Sequence, residues 1–383
     1  MTIDTMALLA LFLGLGIFIY ATRKRLQVHS FLTIFYFCMY KTKLGMRFIE
    51  GFARKHEKML IRAGWIMIPV GFIGMILMIE ELFRGAWMLL RSTESLTVGV
   101  VLPIQAKGVF YVPFFYWIIA IVFIMVVHEL AHGIVARAHK VRLKSTGLAF
   151  LGAIIPLVPG AFVEIDEKHL EKKSKYAQLS IFAAGPFANI LFGVLFFGIF
   201  LLAQPYSQGM FYADGMHVTS ITEGSPAAIT GLAVNELITQ IGGADVNSVD
   251  SFEKAFAGKK SGDAITIITD KGARDAVLAG AGKGYLGIQV QESRHIQLSV
   301  IRQHGVVLPL AFAWIVDLIF WLFLLNLGVG LFNLVPLGPV DGGRMFHTAL
   351  QRFFPHKHAK ATWHIVTFVM LAIIAGTLIS AFV

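Results

Sequence analysis

The sequence predicts a polytopic helical membrane protein with a small soluble domain inserted between its spans. Charged residues make up only 15% of the chain, whereas soluble domains average about 25%. Long uncharged runs recur along the chain, and each is long enough for a helix to cross the hydrocarbon core. The segment from about Met210 to Gln291 differs, because it is rich in glycine and alternates apolar with polar residues, which predicts short strands.

About six runs could span a membrane. They are Thr5–Thr22, Ala63–Ile79, Val109–Val127, Tyr176–Ala203, Leu318–Val340 and Ala361–Val383. No small-residue cleavage site follows the first run, so we expect a membrane anchor there and not a cleaved signal peptide. A shorter run, Phe31–Tyr40, is predicted to be an interfacial helix, with a short span as the alternative. Cys38 is the single cysteine, which excludes a disulfide framework and a thiolate metal site.

The net charge of +10 comes from basic clusters in short loops between the apolar runs. These clusters are Arg23–Arg25, Lys41–Arg62, Arg137–Lys144, Lys168–Lys175 and Arg352–Lys360. Orientation in a membrane explains them better than binding to nucleic acid, and we expect no nucleic-acid partner. The positive-inside rule places the clusters in the cytoplasm and the inserted domain on the outer side of a multi-pass cell membrane protein.

A zinc signature follows the third apolar run. His128 and His132 are four residues apart, so on a helix they share a face and can hold one metal ion. Glu129 can reach the attacking water without being a ligand. Histidines that snorkel to the interface would be the ordinary explanation. Ionisable groups at membrane depth are expensive and usually functional, which favours the metal site.

A catalytic zinc needs a third protein ligand and an open position. The best candidate is Asp341, in a stretch whose prolines and glycines interrupt an apolar run. Irregular backbone survives at membrane depth only when it is buried in protein or lines a water-filled cavity. A carboxylate buried at membrane depth requires a nearby cation. One Zn²⁺ per chain, held by His128, His132 and Asp341, supplies it.

Together these residues resemble the site-2 protease family of intramembrane zinc metalloproteases. The family's two hallmarks are matched by His-Glu-Leu-Ala-His at 128–132 and by Asn-x-x-Pro-x-x-x-x-Asp-Gly at 333–342. Ala184–Asn189 looks like the family's Gly-Pro-x-x-Asn span, and Pro159–Val163 looks like the end of its membrane-inserted β-hairpin. The resemblance covers about Pro113 to Gln351.

Pieces of the inserted segment resemble a PDZ domain of mixed α/β type. They are Glu223–Ala228, Gly231–Leu232, Asn235–Ile238, Val249–Phe256 and Gly284–Ile288, and this order is similar to the circularly permuted bacterial type. A PDZ domain binds an extended peptide or a C-terminus as an added strand. A structural cap without a ligand is the alternative.

The resemblances imply four parts. Residues 1–112 hold N-terminal anchor helices and a basic loop, 113–205 the first part of a catalytic membrane core, 206–300 the PDZ domain, and 301–383 the second part of the core.

Within the core, Gly147–Val163 is apolar, contains prolines and lies between two basic clusters. It predicts a re-entrant hairpin whose edge pairs with an unwound substrate, with a short interfacial loop as the alternative.

The implied activity is zinc-dependent hydrolysis of peptide bonds within or near the transmembrane segments of single-span proteins in the lipid bilayer. Zinc lowers the pKa of its water to about 7, and Glu129 would act as the general base. Asn189 and Asn333 are candidates to bind the substrate, with hydrogen bonding between helices as the alternative.

The active site is expected to open toward the cytoplasm. The outer PDZ domain would then bind a newly exposed C-terminus or exclude bulky ectodomains. A catalytically silent scaffold that keeps its zinc and recruits partners through the PDZ domain is the alternative function. Glu129 argues against it, because a structural zinc site does not need a base.

Overall fold

The chain forms two compact units, and each is described by itself. The computed structural model describes residues 3–24, 26–31, 35–91, 99–104, 109–153, 155–280, 282, 284–338 and 340–382. The first unit comprises Met1–Phe200 and Asp317–Val383, and the second comprises Leu201–Val316. The helices are α1 (Ile3–Thr22), α2 (Met46–Lys55), α3 (Glu57–Leu90), α4 (Phe114–Ala138), α5 (Glu167–Glu171), α6 (Lys175–Gly209), α7 (Pro226–Ile229), α8 (Val249–Phe256), α9 (Leu298–His304), α10 (Val307–Phe332), α11 (Asp341–Phe353) and α12 (His356–Phe382).

Five of the described helices are long and apolar enough to cross a membrane: α3, α4, α6, α10 and α12. The N-terminal helix α1 contains a shorter apolar segment, Met6–Thr22. The prediction of a polytopic helical membrane protein is therefore confirmed. The count of about six spans stays a prediction.

In two predicted spans, the helix begins at a different residue from the apolar run. The run from Val109 starts as a short strand, and its helix α4 begins only after Pro113, where a residue without a backbone N–H suits a helix start. The run from Leu318 belongs to α10, which begins at Val307. Apolar composition does not distinguish a strand from a helix at the edge of a run.

Four antiparallel strands of the first unit form one sheet in the order β1-β2-β5-β6. They are β1 (Leu26–Phe31), β2 (Phe35–Thr42), β5 (Leu143–Ala153) and β6 (Ile155–Ile165), and β3 (Val100–Leu102) pairs with β4 (Val109–Tyr111) elsewhere. Strands β5 and β6 form the hairpin expected over Gly147–Val163. Its re-entry into the bilayer stays a prediction. Strand β6 lies at the edge of the sheet and packs against α4.

The prediction of an interfacial helix over Phe31–Tyr40 is wrong. Of this run the structure describes Phe31 and 35–40, and these residues belong to β1 and β2. Strand β2 pairs with β5 from Phe35↔Ala153 to Thr42↔Thr146. The run is rich in aromatic residues, which favour a strand once a partner strand is available. That partner lies about a hundred residues downstream, so local composition did not reveal it.

The largest buried cluster of the first unit lies around the C-terminal end of α4. Val135 and Ala136 pack with Ile181 and Ala184 of α6 and with Leu334, which follows α10. These side chains are almost fully buried. The core therefore joins the three segments that carry the predicted zinc ligands and the Gly-Pro-x-x-Asn motif.

The second unit is a six-stranded sheet with short helices. Its strands are β7 (Phe211–Ile221), β8 (Leu237–Ile241), β9 (Ala244–Asp245), β10 (Ala264–Thr269), β11 (Gly272–Val277) and β12 (Ile288–Ile296), in the order β11-β10-β8-β7-β12 with β9 on β8. Burial alternates along β10 as the sequence predicts. The helix expected over Val249–Phe256 is α8, which starts with a capping box at Ser248. The mixed α/β character of the insertion is confirmed.

Candidate metal centre

Helix α4 presents two imidazoles to one point in the interior of the first unit. His128 and His132 lie one turn apart, and their Nε2 atoms are 3.1 Å from each other. His132 is 7% exposed. Helix α4 extends without interruption to His128. The residues from Phe114 to Val127 are apolar and uncharged, so this part of the helix can be buried.

Asp341 joins the two histidines through a break in the backbone. Helix α10 ends at Phe332, irregular residues follow, and Asp341 is the first residue of α11. Its Oδ2 lies 3.0 Å from His128 Nε2 and 3.2 Å from His132 Nε2. The break is closed by the Gly342 amide, which donates to the Asn333 carbonyl at 2.7 Å. A Cβ at Gly342 would lie 2.2 Å from the Leu334 carbonyl oxygen, so no side chain fits there.

These three residues fit a catalytic zinc ion. Within the described part of the chain, they form the one group of three whose ligand atoms all lie within 4.8 Å of one another. Zinc bonds of about 2.0–2.2 Å in tetrahedral geometry require ligand atoms a little over 3 Å apart, as found here. Two imidazoles and one carboxylate are a catalytic donor set, because they leave a fourth position open.

The outward ring nitrogens of the two histidines also have partners. His132 Nδ1 lies 2.7 Å from the Ile181 carbonyl oxygen of α6. His128 Nδ1 lies 3.1 Å from the side-chain amide of Asn189, which is fully buried on the same helix. Such contacts fix the ring orientation and the tautomer of a metal-bound histidine. Helix α6 therefore supports both imidazoles.

Gly185 gives the imidazoles the space that they occupy. A Cβ at this position would lie 2.3 Å from His132 Nε2 and 2.7 Å from His128 Nε2. Gly185 is part of the Gly-Pro-x-x-Asn motif, and the motif alone does not predict its role. A glycine followed by Pro186 in an otherwise regular span was the only local signal of a close approach.

Glu129 lies beside the three-residue group and is held by the sheet. Its Oε2 accepts a hydrogen bond from the Val163 amide at 2.9 Å. Val163 belongs to β6, whose free edge faces away from β5. The carboxylate is thus outside the ligand set and fixed next to it, as expected for a base.

A cavity of about 480 Å³ opens onto the group. It is lined by residues from α4, β6, the segment after α10 and the start of α11, namely His128, Glu129, His132, Val163, Asn333 and Asp341 among others. Arg344 stands at its rim, paired with Glu167 at 2.7 Å and stacked over the Phe182 ring at 4.2 Å. Of the two asparagines predicted to bind substrate, Asn333 lines the cavity. Asn189 instead contacts His128, which corresponds to the alternative of hydrogen bonding between helices.

The second unit carries a separate groove. A cavity of about 650 Å³ lies between α8, which contributes Phe252 and Phe256, and the loop that runs from Gly284 to Ile288. Lys259 and Lys260 also line it. A groove with apolar walls beside a sheet can bind an extended peptide.

The chain is similar to several known proteins. A family model described as peptidase family M50 matches residues 116–376. An uncharacterized protein of Methanocaldococcus jannaschii is 29% identical over 339 residues, which are 85% of this chain and 80% of that protein. PDZ domains of SdrC-like proteins from Listeria monocytogenes and Listeria innocua are 31% and 30% identical. They cover 20% and 21% of this chain and 87% and 97% of their own, with TM-scores of 0.19.

Proposed function

The chain belongs to peptidase family M50, and we propose that it is a zinc endopeptidase that cleaves single-span membrane proteins within or near their transmembrane segments. The observation that carries this proposal is the meeting of His128, His132 and Asp341 beside Glu129 in one cavity. The ligands lie on or next to helices that can cross a membrane.

Zinc held by the three ligands would lower the pKa of water to about 7 and polarise the scissile carbonyl. Glu129 takes the proton of the attacking water on its carboxylate and passes it to the leaving amine. The Val163 amide keeps that carboxylate in place between the two transfers. Asn333, on the cavity wall, is positioned to donate to the substrate backbone.

Asn189 would act through His128. A histidine that binds zinc through Nε2 carries its proton on Nδ1, so this nitrogen must donate. The Asn189 Oδ1 is buried and has no other hydrogen-bond partner in the described chain. Turned toward the ring, this oxygen accepts the Nδ1 proton and fixes the ligand. We therefore assign Asn189 a positioning role.

The substrate would bind along β6. A helical substrate hides its carbonyls in internal hydrogen bonds, so it must be held extended before attack. Strand β5 is already paired on both sides, with β2 and β6, which leaves the outer edge of β6 for an added strand. That edge leads to Glu129 through Val163.

The second unit would bind an extended peptide in the groove between α8 and the Gly284–Ile288 loop. We propose that it is a PDZ domain on the outer side of the membrane, and that the metal centre opens toward the cytoplasm. The loop charges support this orientation. Exclusion of bulky ectodomains would explain an obligatory order of cuts without a tight ligand.

Comparative proteomics tests the proposed activity and identifies the substrate. Cells that produce the Glu129→Gln chain should accumulate transmembrane peptides that disappear when the unchanged chain is produced. Identical membrane peptidomes in the two cell lines would contradict an endopeptidase function and would favour the silent scaffold.

A further inference from the structure

Four cationic side chains surround a cavity at the ends of α3 and α4, which we call the α2 cavity. It has a volume of about 390 Å³. Its charged lining consists of Arg47, Arg54, Arg137 and Lys140 with Glu50 and Glu57, a formal charge of +2. The proposed protease chemistry uses none of these residues.

The two carboxylates do not satisfy the four cations. Glu50 lies 3.7 Å from Arg137, beyond hydrogen-bonding distance, and Glu57 pairs with Lys140 at 3.3 Å. Arg47 and Arg54 make no ion pair with any described residue.

Arg137 has a donor without an acceptor. One end of its guanidinium donates to the Val141 carbonyl at 3.1 Å. Its Nε–H is buried and has no hydrogen-bond partner in the described chain. The guanidinium of Arg137 is therefore only partly paired within the described chain.

The α2 cavity lies near the end of the apolar part of α3. The uncharged part of α3 begins at Ala63, and Glu57 precedes it by roughly 9 Å of helix. The polar headgroup region adds several ångströms to each side of the hydrocarbon core. A ligand in the cavity is therefore within reach of the bilayer surface.

Helix α2 has the form of a helix that lies in the membrane interface. Ile49 and Ala53 are buried against the core of the unit, and Arg47 and Arg54 line the cavity. A further face carries Phe48, which is 55% exposed, next to Phe52. Leu44, just before the helix, is 85% exposed. Large apolar side chains beside basic ones suit a lipid surface.

We propose that the α2 cavity binds the phosphate headgroup of an anionic phospholipid, whose acyl chains lie along Leu44, Phe48 and Phe52. Guanidinium groups bind phosphate oxygens through paired hydrogen bonds, which Arg47 and Arg54 are free to make. The net positive charge excludes a cationic headgroup, and the adjoining apolar side chains distinguish a lipid from free phosphate. The charged residues of the α2 cavity are distinct from the proposed zinc ligands and base.

The test measures binding of phosphatidylglycerol to the full chain in phosphatidylcholine nanodiscs by native mass spectrometry. The variant Arg47→Ala/Arg54→Ala is compared with Lys55→Ala/Lys58→Ala. Both remove two charges from the same segment, but Lys55 and Lys58 are exposed and outside the cavity lining. We expect about a tenfold loss of affinity in the arginine variant and less than about twofold in the lysine variant.

Equal losses of phosphatidylglycerol affinity in the two variants, or no loss in either, would overturn the proposal. The lipid would then be attracted by the overall positive charge of the chain and not by the α2 cavity. Displacement of the lipid by equimolar inorganic phosphate would also overturn it and assign a free-phosphate site. Because Arg47→Ala/Arg54→Ala could unfold the chain, unfolding midpoints are compared and Arg47→Lys/Arg54→Lys is added. This variant keeps the charge and loses the planar fork, so we expect weaker binding than in the unchanged chain and stronger binding than in the alanine variant.

Discussion

At the scale of single residues, the metal centre depends on Asp341. Both histidines contact its Oδ2, and it is the one carboxylate of the three-residue group. Its position on the first turn of α11 is held by the hydrogen bond between Gly342 and Asn333. The carboxylate therefore meets the histidines without a rearrangement of the backbone.

Replacing Asp341 with alanine should remove the metal. Loss of a partner outside the ligand set costs about 10–100-fold in metal affinity, so loss of a ligand should cost at least as much. Zinc content after dialysis against a chelator is measured in Asp341→Ala and in Asp250→Ala, an exposed aspartate of the second unit. Unchanged zinc in Asp341→Ala would reject this ligand.

Asn189→Ala should weaken zinc binding without abolishing it. The variant removes the partner of His128 Nδ1, and we expect about a 10–100-fold loss of affinity. The matched control is Asn326→Ala, because Asn326 is equally buried in a span but donates only to Leu322 of its own helix. Equal effects of the two substitutions on zinc affinity would show that Asn189 has only a packing role.

The sequence was sufficient to predict that His128, His132 and Asp341 meet, but not which residues support them. The spacing of His128 and His132 defines a helical face, and the Asn333–Gly342 motif contains Asp341. The contact between Asn189 and His128 joins residues 61 positions apart. It depends on how α6 packs against α4, which no local pattern determines.

At the scale of elements, α6 is shaped to pack against the imidazoles of α4. The helix approaches closely at Gly185 and supplies the Ile181 carbonyl and the Asn189 amide on either side of it. These three residues recur every four positions and so lie on one face. Packing of this face, and not helix propensity, determines the geometry of the candidate metal centre.

Gly185→Ala should therefore abolish activity and lower zinc content. Its Cβ would overlap both imidazoles, at 2.3 Å and 2.7 Å, and would force at least one of them off the metal. Gly198→Ala on the same helix is the control, because nothing lies within 4 Å of the added Cβ. Zinc content and cleavage are measured in both variants; normal zinc in Gly185→Ala would mean that α6 does not approach so closely.

The elements show where reading the sequence alone fails. Most of the long apolar runs became long helices, because length and composition suffice for a span. The prediction of a helix over Phe31–Tyr40 is wrong, because the partner of strand β2, β5, is remote in sequence. A run of about ten apolar residues fits a strand and an interfacial helix equally well.

At the scale of the whole molecule, the two units differ in how they bury ionisable side chains. The first buries the ionisable groups of the candidate metal centre among apolar helices, and the second is a sheet domain with an internal ion pair. In that domain Glu236 is fully buried and meets the Arg274 guanidinium at 2.8 Å. Burial alone would raise the pKa of Glu236, but hydrogen bonds from Thr269, Arg274 and the Ala233 amide hold it below its ordinary value.

The second unit should accordingly lose stability in acid. A carboxylate with a lowered pKa in the folded state contributes fully above its unfolded value, near 4.5, and loses the contribution as the pH falls through the folded value. We expect the urea midpoint of this unit, followed by pulse proteolysis of the full chain, to fall less steeply below about pH 4.5 in Glu236→Gln. Asp250→Asn, which removes a surface pair, should leave the slope unchanged. Identical slopes in the unchanged chain and Glu236→Gln would reject the role of the buried pair.

The central claim is that Glu129 is the base of a zinc peptidase and is not a ligand. The most direct test compares the unchanged chain with Glu129→Gln, reconstituted with a single-span substrate, and measures cleavage and zinc content in the same samples. Glutamine can still accept the hydrogen bond from the Val163 amide but cannot take up the proton. We predict that zinc stays near one per chain and that cleavage falls by roughly a hundredfold or more. Undiminished cleavage by the Glu129→Gln chain would contradict the mechanism, and loss of its zinc would show that Glu129 belongs to the ligand set.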